Sequence, residues 1–179
     1  MIFEKQKTLK ASDRFIQDIC ALPDIVKNNT IILIGPMGTG KSTIAKLLEN
    51  QIEGMRRISL DNKDLLKMLY EKERKFRDFK NFEFVLTGTV LSSLKEPYII
   101  DFGAGHSVYE DKNLREQMKK MCEQFKNIML LLPSMDKEKS RKILAERRKI
   151  KLGSHKDQDN WHFITSPNNY ELATNTLYE

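Results

Sequence analysis

Residues 35–42 read Gly35-Pro36-Met37-Gly38-Thr39-Gly40-Lys41-Ser42, which meets the phosphate-binding pattern G-x-x-x-x-G-K-[ST] at every fixed position. No other stretch restricts the fold as much. The glycines let the backbone wrap closely and turn its N–H groups toward phosphate oxygens. Lys41 is placed to reach the β- and γ-phosphates, and the Ser42 hydroxyl to ligate Mg²⁺. Residues 30–34 (Thr-Ile-Ile-Leu-Ile) form a short β-branched apolar run, the pattern of a buried strand. Residues 43–48 open an amphipathic helix. A strand, a glycine loop and a helix are the surroundings this motif needs. A turn that merely joined strand to helix would not require Lys41 and Ser42 in succession.

The 179 residues suffice for one domain with a sizeable core. An apolar fraction of 40% and a charged fraction of 31% are those of a globular chain. No apolar run approaches the roughly 18 residues of a membrane span. The first seven residues, Met-Ile-Phe-Glu-Lys-Gln-Lys, contain no signal-peptide core. Cys20 and Cys122 lie far apart and, like His106, His155 and His162, make no metal-ligand spacing. A cytoplasmic chain with reduced thiols is expected. The net charge is +6, with Lys137, Lys139, Arg141, Lys142, Arg147, Arg148, Lys149 and Lys151 crowded together. A nucleotide polyphosphate is a sufficient anionic partner for part of that cluster. The absence of an aromatic-interleaved basic motif argues against nucleic acid.

Along the chain, strand patterns alternate with helical ones. Helical spacing is expected over 12–22, before the first strand, and from the loop to near Gly54. A short strand spans 56–60 and charged helical spacing spans 62–76. Further helices are expected over 80–95, 112–126 and 136–150, and strands over 98–102 and 127–132. Residues 152–168 read as a polar segment. The alternation predicts an α/β fold, a parallel sheet with helices on both faces. Ligands of such sheets bind outside the carboxyl ends of the strands. The phosphate loop, Asp61, Asp101 and Gly103-Ala104-Gly105 all sit at such ends and should form one site.

Phosphoryl transfer depends on positioning and charge neutralisation. Asp101 is a candidate for the Mg²⁺ shell, or else a turn or cap aspartate. Asp61 could orient an acceptor hydroxyl and take its proton, or cap the next helix. Gly103, Ala104 and Gly105 permit close backbone approach to a ligand, or simply a turn. Arg147 and Arg148 could close over a nucleotide as part of a lid, or complement a solvated helix C-terminus.

The run from Gly35 to Ile44, then Asp61, Gly103-Ala104-Gly105 and Leu130-Leu131-Leu132-Pro133, resembles shikimate kinase and its close relatives. The resemblance covers residues 30–178. It implies a P-loop NTPase fold of nucleoside-monophosphate-kinase type, with a five-stranded parallel sheet and a lid near 147–168. Residues 1–29 would be an N-terminal helical extension to a kinase-like domain over 30–179. The implied activity is Mg-ATP-dependent transfer to a hydroxyl of a small molecule. ATP would contact Gly35, Met37, Gly38, Thr39, Gly40, Lys41, Ser42, Thr43 and Arg148. By the same resemblance Asp61 and the 103–105 triplet bind the acceptor. Lys80 stands where the family places an arginine for the acceptor carboxylate, with Arg77 close enough to substitute. Two departures stand out: Ser59 replaces the first carboxylate of an Asp-x-Asp pair, and Ser166 replaces a second carboxylate-binding arginine. Serine and lysine cannot hold a carboxylate bidentately, which weakens shikimate as the acceptor and leaves ATP binding untouched. The family runs on past its fifth strand into a final helix, so the chain is expected to be incomplete after 176–179. Other readings are a kinase for a different polyol, nucleoside or antibiotic, and a nucleotide-binding regulatory protein without transferase activity.

Overall fold

The computed structural model describes residues 11–21, 29–60, 78–95 and 97–179. Asp61, Arg77 and the helical pattern over 62–76 lie outside the described residues. In chain order the elements are α1 (Ala11–Ala21), β1 (Ile31–Ile34), α2 (Lys41–Gln51), β2 (Arg56–Ser59), α3 (Phe79–Ser93) and β3 (Tyr98–Asp101). They continue with α4 (Lys112–Cys122), β4 (Asn127–Leu132), α5 (Lys137–Arg147), α6 (His155–Thr165), α7 (Pro167–Leu172) and β5 (Asn175–Tyr178).

The five strands form one parallel sheet in the order β2-β3-β1-β4-β5. β1 and β4, entirely apolar but for Asn127, are buried along their whole length, as parallel strands covered on both faces must be. The edge strands β2 and β5 carry the more polar sequences Arg-Arg-Ile-Ser and Asn-Thr-Leu-Tyr. Side chains alternate between the faces. Ile32, Ile34, Ile100, Phe102, Leu130 and Leu132 point to one face, where Leu91, Met118, Cys122 and Leu172 of α3, α4 and α7 meet them. Ile31, Leu33, Ile99, Met129 and Leu131 point to the other, covered by Ile44, Ala45 and Leu48 of α2 and by Phe15, Ile16 and Ile19 of α1. The first helix thus supplies part of the core of that face.

Caps fix the helix starts. Asp78, Asp111 and Asp136 each accept a hydrogen bond from the backbone N–H three residues on, at 2.8–3.0 Å. α5 stops at Arg147, earlier than its sequence pattern, because Lys149 turns left-handed (φ 52). Its end closes through the Ile150 N–H to the Ala145 carbonyl at 2.8 Å.

The polar segment over 152–168 differs most from its sequence reading, since it folds as α6 and leads directly into α7. Its buried side include Asp157 and Asn160 beside Ile164. Those polar groups are satisfied: the Asp157 carboxylate accepts from Arg141 Nη2 (2.6 Å) and Nε (3.1 Å) and from the Gly153 N–H (2.7 Å). Through this clasp α6 packs on α5.

Candidate active site

β1 lies at the centre of the sheet and its chain leaves between β3 and β4, where the strand order reverses. This is the switch point at which doubly wound sheets open a crevice. The phosphate loop fills it. Gly35, Gly38 and Gly40 have φ of 134°, 89° and 84°, values open to glycine and strained for other residues. At Gly35 a Cβ would lie 2.6 Å from the Leu131 carbonyl oxygen, so the loop can start only by passing β4 without a side chain.

The first two loop carbonyls turn to Lys41, whereas the third turns to α6. Lys41 Nζ, on a buried side chain, donates to the Gly35 and Pro36 carbonyls, each at 2.9 Å. Thr39 Oγ1 donates to the Pro36 carbonyl at 3.1 Å. Asn160 of α6 brackets Met37: its Oδ1 accepts from the Met37 N–H (2.9 Å) and its Nδ2 donates to the Met37 carbonyl (3.2 Å). Ser42 and Thr43 are exposed in the first turn of α2, where backbone N–H groups have no partner within the helix. Arg148 lies over Gly38, its Cγ 3.0 Å from where a Cβ would stand. Arg148 Nη1 is buried and has no hydrogen-bonding partner among the described residues. A buried guanidinium nitrogen left open beside a glycine-rich helix start fits a phosphate oxygen.

Asp101 ends β3 in register with Leu33 of β1 and Ser59 of β2, fully buried, and its Oδ2 accepts from Ser59 Oγ at 3.4 Å. Ser59 at the end of β2 thus meets the carboxylate at the end of β3. Ser42 and Asp101 are of the oxygen type Mg²⁺ takes alongside nucleotide phosphates.

The loop has a hollow on each side. The smaller, about 130 Å³, lies against Gly38, Thr39, Gly40 and Thr43 and is walled by Phe15, Arg147 and Glu179. Arg147 makes a two-pronged ion pair with Glu179, its Nη1 2.6 Å from Oε1. The larger, about 550 Å³, starts at Met37 and is lined by Gly103, Ala104, Gly105, Lys80, Glu83 and one side of α6, including Asp159, His162 and Phe163. The glycine triplet is a tight turn, with the His106 N–H donating to the Gly103 carbonyl at 3.0 Å.

Lys80 reaches this cleft, but its ammonium is engaged. It donates to the Gly105 carbonyl and to Glu83 Oε2 (3.1 Å), and sits 4.6 Å from the Tyr109 ring centre. Burial pulls its pKa below the ordinary lysine value, and the adjacent Glu83 carboxylate opposes that shift. Beneath it, the Thr87 hydroxyl lies 2.7 Å from the Glu83 carbonyl and 2.9 Å from His106 Nδ1. His106 Nε2 faces Glu83 Oε1 at 3.8 Å.

The structure therefore gathers Lys41, Ser42, Gly103 to Gly105, Lys80, Asp101, Arg147 and Arg148 around one loop. Sequence reading missed Glu83, His106, Asn160, His162 and Phe163. Ser166 is buried at the α6–α7 junction, where Asn168 and Asn169 tie α7 to the segment after the glycine turn. Asn168 Nδ2 donates to the Tyr109 carbonyl (2.9 Å), and Asn169 Oδ1 accepts from Ser107 Oγ (2.6 Å).

Residues 31–178 match the family model described as ATPase family associated with various cellular activities (AAA). The chain belongs to this family. No curated protein sequence matches it significantly. Among solved structures this AAA-family chain is similar to shikimate kinase from Acinetobacter baumannii in complex with shikimate, at 20% identity and a TM-score of 0.56, over 86% of this chain and 84% of that one. It is similar also to shikimate kinase from Bacteroides thetaiotaomicron (21%, TM-score 0.56, 85% and 86%). A gluconokinase from Sinorhizobium meliloti 1021 has the same fold (13%, TM-score 0.52, 85% and 84%). The fold is thus the P-loop NTPase fold of nucleoside-monophosphate-kinase type expected from the sequence.

Proposed function

We propose that this protein is an ATP-dependent kinase that transfers the γ-phosphoryl group to a hydroxyl of a small molecule. The observation that carries this reading is the pair of hollows flanking one phosphate loop. A transferase must hold donor and acceptor on either side of the phosphoryl group, and a pure nucleotide binder needs only one such space. The nucleoside end is assigned to the hollow at Thr43 and Arg147, and the acceptor to the cleft beside Gly103 to Gly105.

In this reading Lys41 exchanges its two loop carbonyls for β- and γ-phosphate oxygens, and Arg148 Nη1 takes a further one. Gly35, Met37, Gly38, Thr39 and Gly40 shape the cradle. Ser42 and Asp101 would hold Mg²⁺, which would neutralise phosphate charge. The acceptor oxygen bonds to the γ-phosphorus as the bond to the ADP oxygen breaks, and the hydroxyl proton passes to Asp61, assigned this part from its position in the sequence. Residues 147–168 act as the lid, with Arg147 over the donor. Arg77 is assigned to the acceptor side.

Lys80 is bound to Glu83 and Gly105, which favours an acceptor lacking a carboxylate. Shikimate and gluconate, suggested by the similar structures, are therefore expected to be poorer acceptors than neutral polyols or nucleosides. The test is ADP release from Mg-ATP with each acceptor class, for wild type and Lys41→Ala. Acceptor-stimulated release that vanishes in the variant is expected. Binding of ATP with no stimulation by any class would return the protein to a nucleotide-binding role, and release without acceptor would make water the acceptor.

A further inference from the structure

α6 forms a wall of the larger cleft, yet it also grips the phosphate loop. Asn160 is 3% exposed and spends both ends of its amide on one residue, accepting from the Met37 N–H and donating to the Met37 carbonyl. This two-point contact fixes the two peptide planes that meet at Met37. All peptides described are trans, so the carbonyl and the following N–H of one plane point in opposite directions. Turning the Met37 carbonyl into α6 therefore aims the Gly38 N–H away from α6, and Gly38 itself lines the smaller hollow. The preceding plane obeys the same rule: the Pro36 carbonyl goes to Lys41 and Thr39, and the Met37 N–H goes to Asn160.

The neighbours of Asn160 on the helix look elsewhere. Asp159, His162 and Phe163 line the cleft, together with Met37 itself. The helix is held to α5 by the Asp157–Arg141 clasp, and α5 leads into Arg148, which covers Gly38. α6 thus joins the wall of the cleft to the loop peptide that Asn160 holds.

We propose that Asn160 is a positioning residue that sets the Gly38 N–H toward the nucleotide and couples the acceptor cleft to the phosphate loop. The inference rests on the kinase reading above for the identity of the two hollows.

The experiment uses the full chain with Mg-ADP as probe. Trp161, the single tryptophan, adjoins Asn160 and lies 5.2 Å from the Arg141 guanidinium, so its emission reports on α6. In wild type, Mg-ADP is expected to change that emission and to slow amide exchange over both 35–44 and 155–165. Asn160→Ala should bind Mg-ADP about tenfold more weakly, the loss of one aimed donor to an anion. It should keep the protection over 35–44 at saturation and lose it over 155–165, a separation that a merely destabilised fold would not produce. Wild-type affinity together with wild-type protection of 155–165 would overturn the proposal and leave the kinase reading standing. A wild-type protein that does not respond to Mg-ADP would overturn both. If the alanine variant lacks a cooperative melt, Asn160→Asp decides. It keeps the acceptor for the Met37 N–H and loses the donor to the carbonyl, so loss of 155–165 protection supports the coupling and its retention overturns it.

Discussion

Phe15→Ala tests whether the first helix belongs to the core or merely accompanies it. Phe15 is 1% exposed, packed in the cluster formed by α1, α2 and one face of the sheet, and it walls the hollow beside the phosphate loop. Truncating a fully buried phenylalanine to alanine costs about 3–5 kcal/mol, the lost transfer energy plus the void left behind. For a chain of this size each kcal/mol moves the melting midpoint by about 2–4 °C, so the expected fall is about 6–20 °C. Ile19 is fully buried in the same cluster, and Ile19→Val should cost about 0.5–1.5 kcal/mol, which scales the series. Differential scanning calorimetry with and without Mg-ADP measures both effects. The void also opens onto the hollow beside Gly38 to Thr43, so the upward shift produced by Mg-ADP should shrink in Phe15→Ala. A variant whose midpoint moved by no more than about 2 °C, with the Mg-ADP shift intact, would show that breaking α1 away costs little and that the sheet stands without it.

Gly35→Ala should cost at least about 1–3 kcal/mol, the backbone strain of φ 134°, with the clash of the new methyl against the Leu131 carbonyl added to it. Isothermal titration should show Mg-ADP binding falling with it. Asp157 carries a pH dependence. The Arg141 hydrogen bonds hold its carboxyl below the ordinary value of 3.8. Its contribution to stability is therefore present above the unfolded-state value and lost as pH falls through the lower folded-state value. Urea unfolding followed down the acid limb should show this loss in wild type and a flatter profile in Asp157→Asn, which should also be the less stable of the two at neutral pH. The thiols should separate by burial: Cys20 is exposed, whereas Cys122 is buried and its pKa is pushed up to about 12. Iodoacetamide should label Cys20 in the native protein and Cys122 only after unfolding, read by peptide mass spectrometry.

The sequence by itself determined the phosphate loop, the parallel sheet and the strand ends on which the site is built. Each rests on local rules: glycines where φ must be positive, Lys41 and Ser42 one after the other, and β-branched runs that only a doubly covered strand tolerates. What the tertiary structure alone decided concerns residues whose partners are remote in the chain. Asn160 meets Met37 across 123 positions and Arg147 meets Glu179 across 32. Lys80, which stands where the resembled family places an arginine for the acceptor carboxylate, meets Glu83 and the Gly105 carbonyl, the latter 25 positions away. The polar run at 152–168 conceals a helix because its buried face carries Asp157 and Asn160 as well as Ile164, and hydropathy cannot see a polar side chain that is buried and satisfied. Hydrophobic periodicity reads which face of an element leaves water. Which hydrogen bonds hold that face against a particular loop is fixed only when the chain has brought the two together.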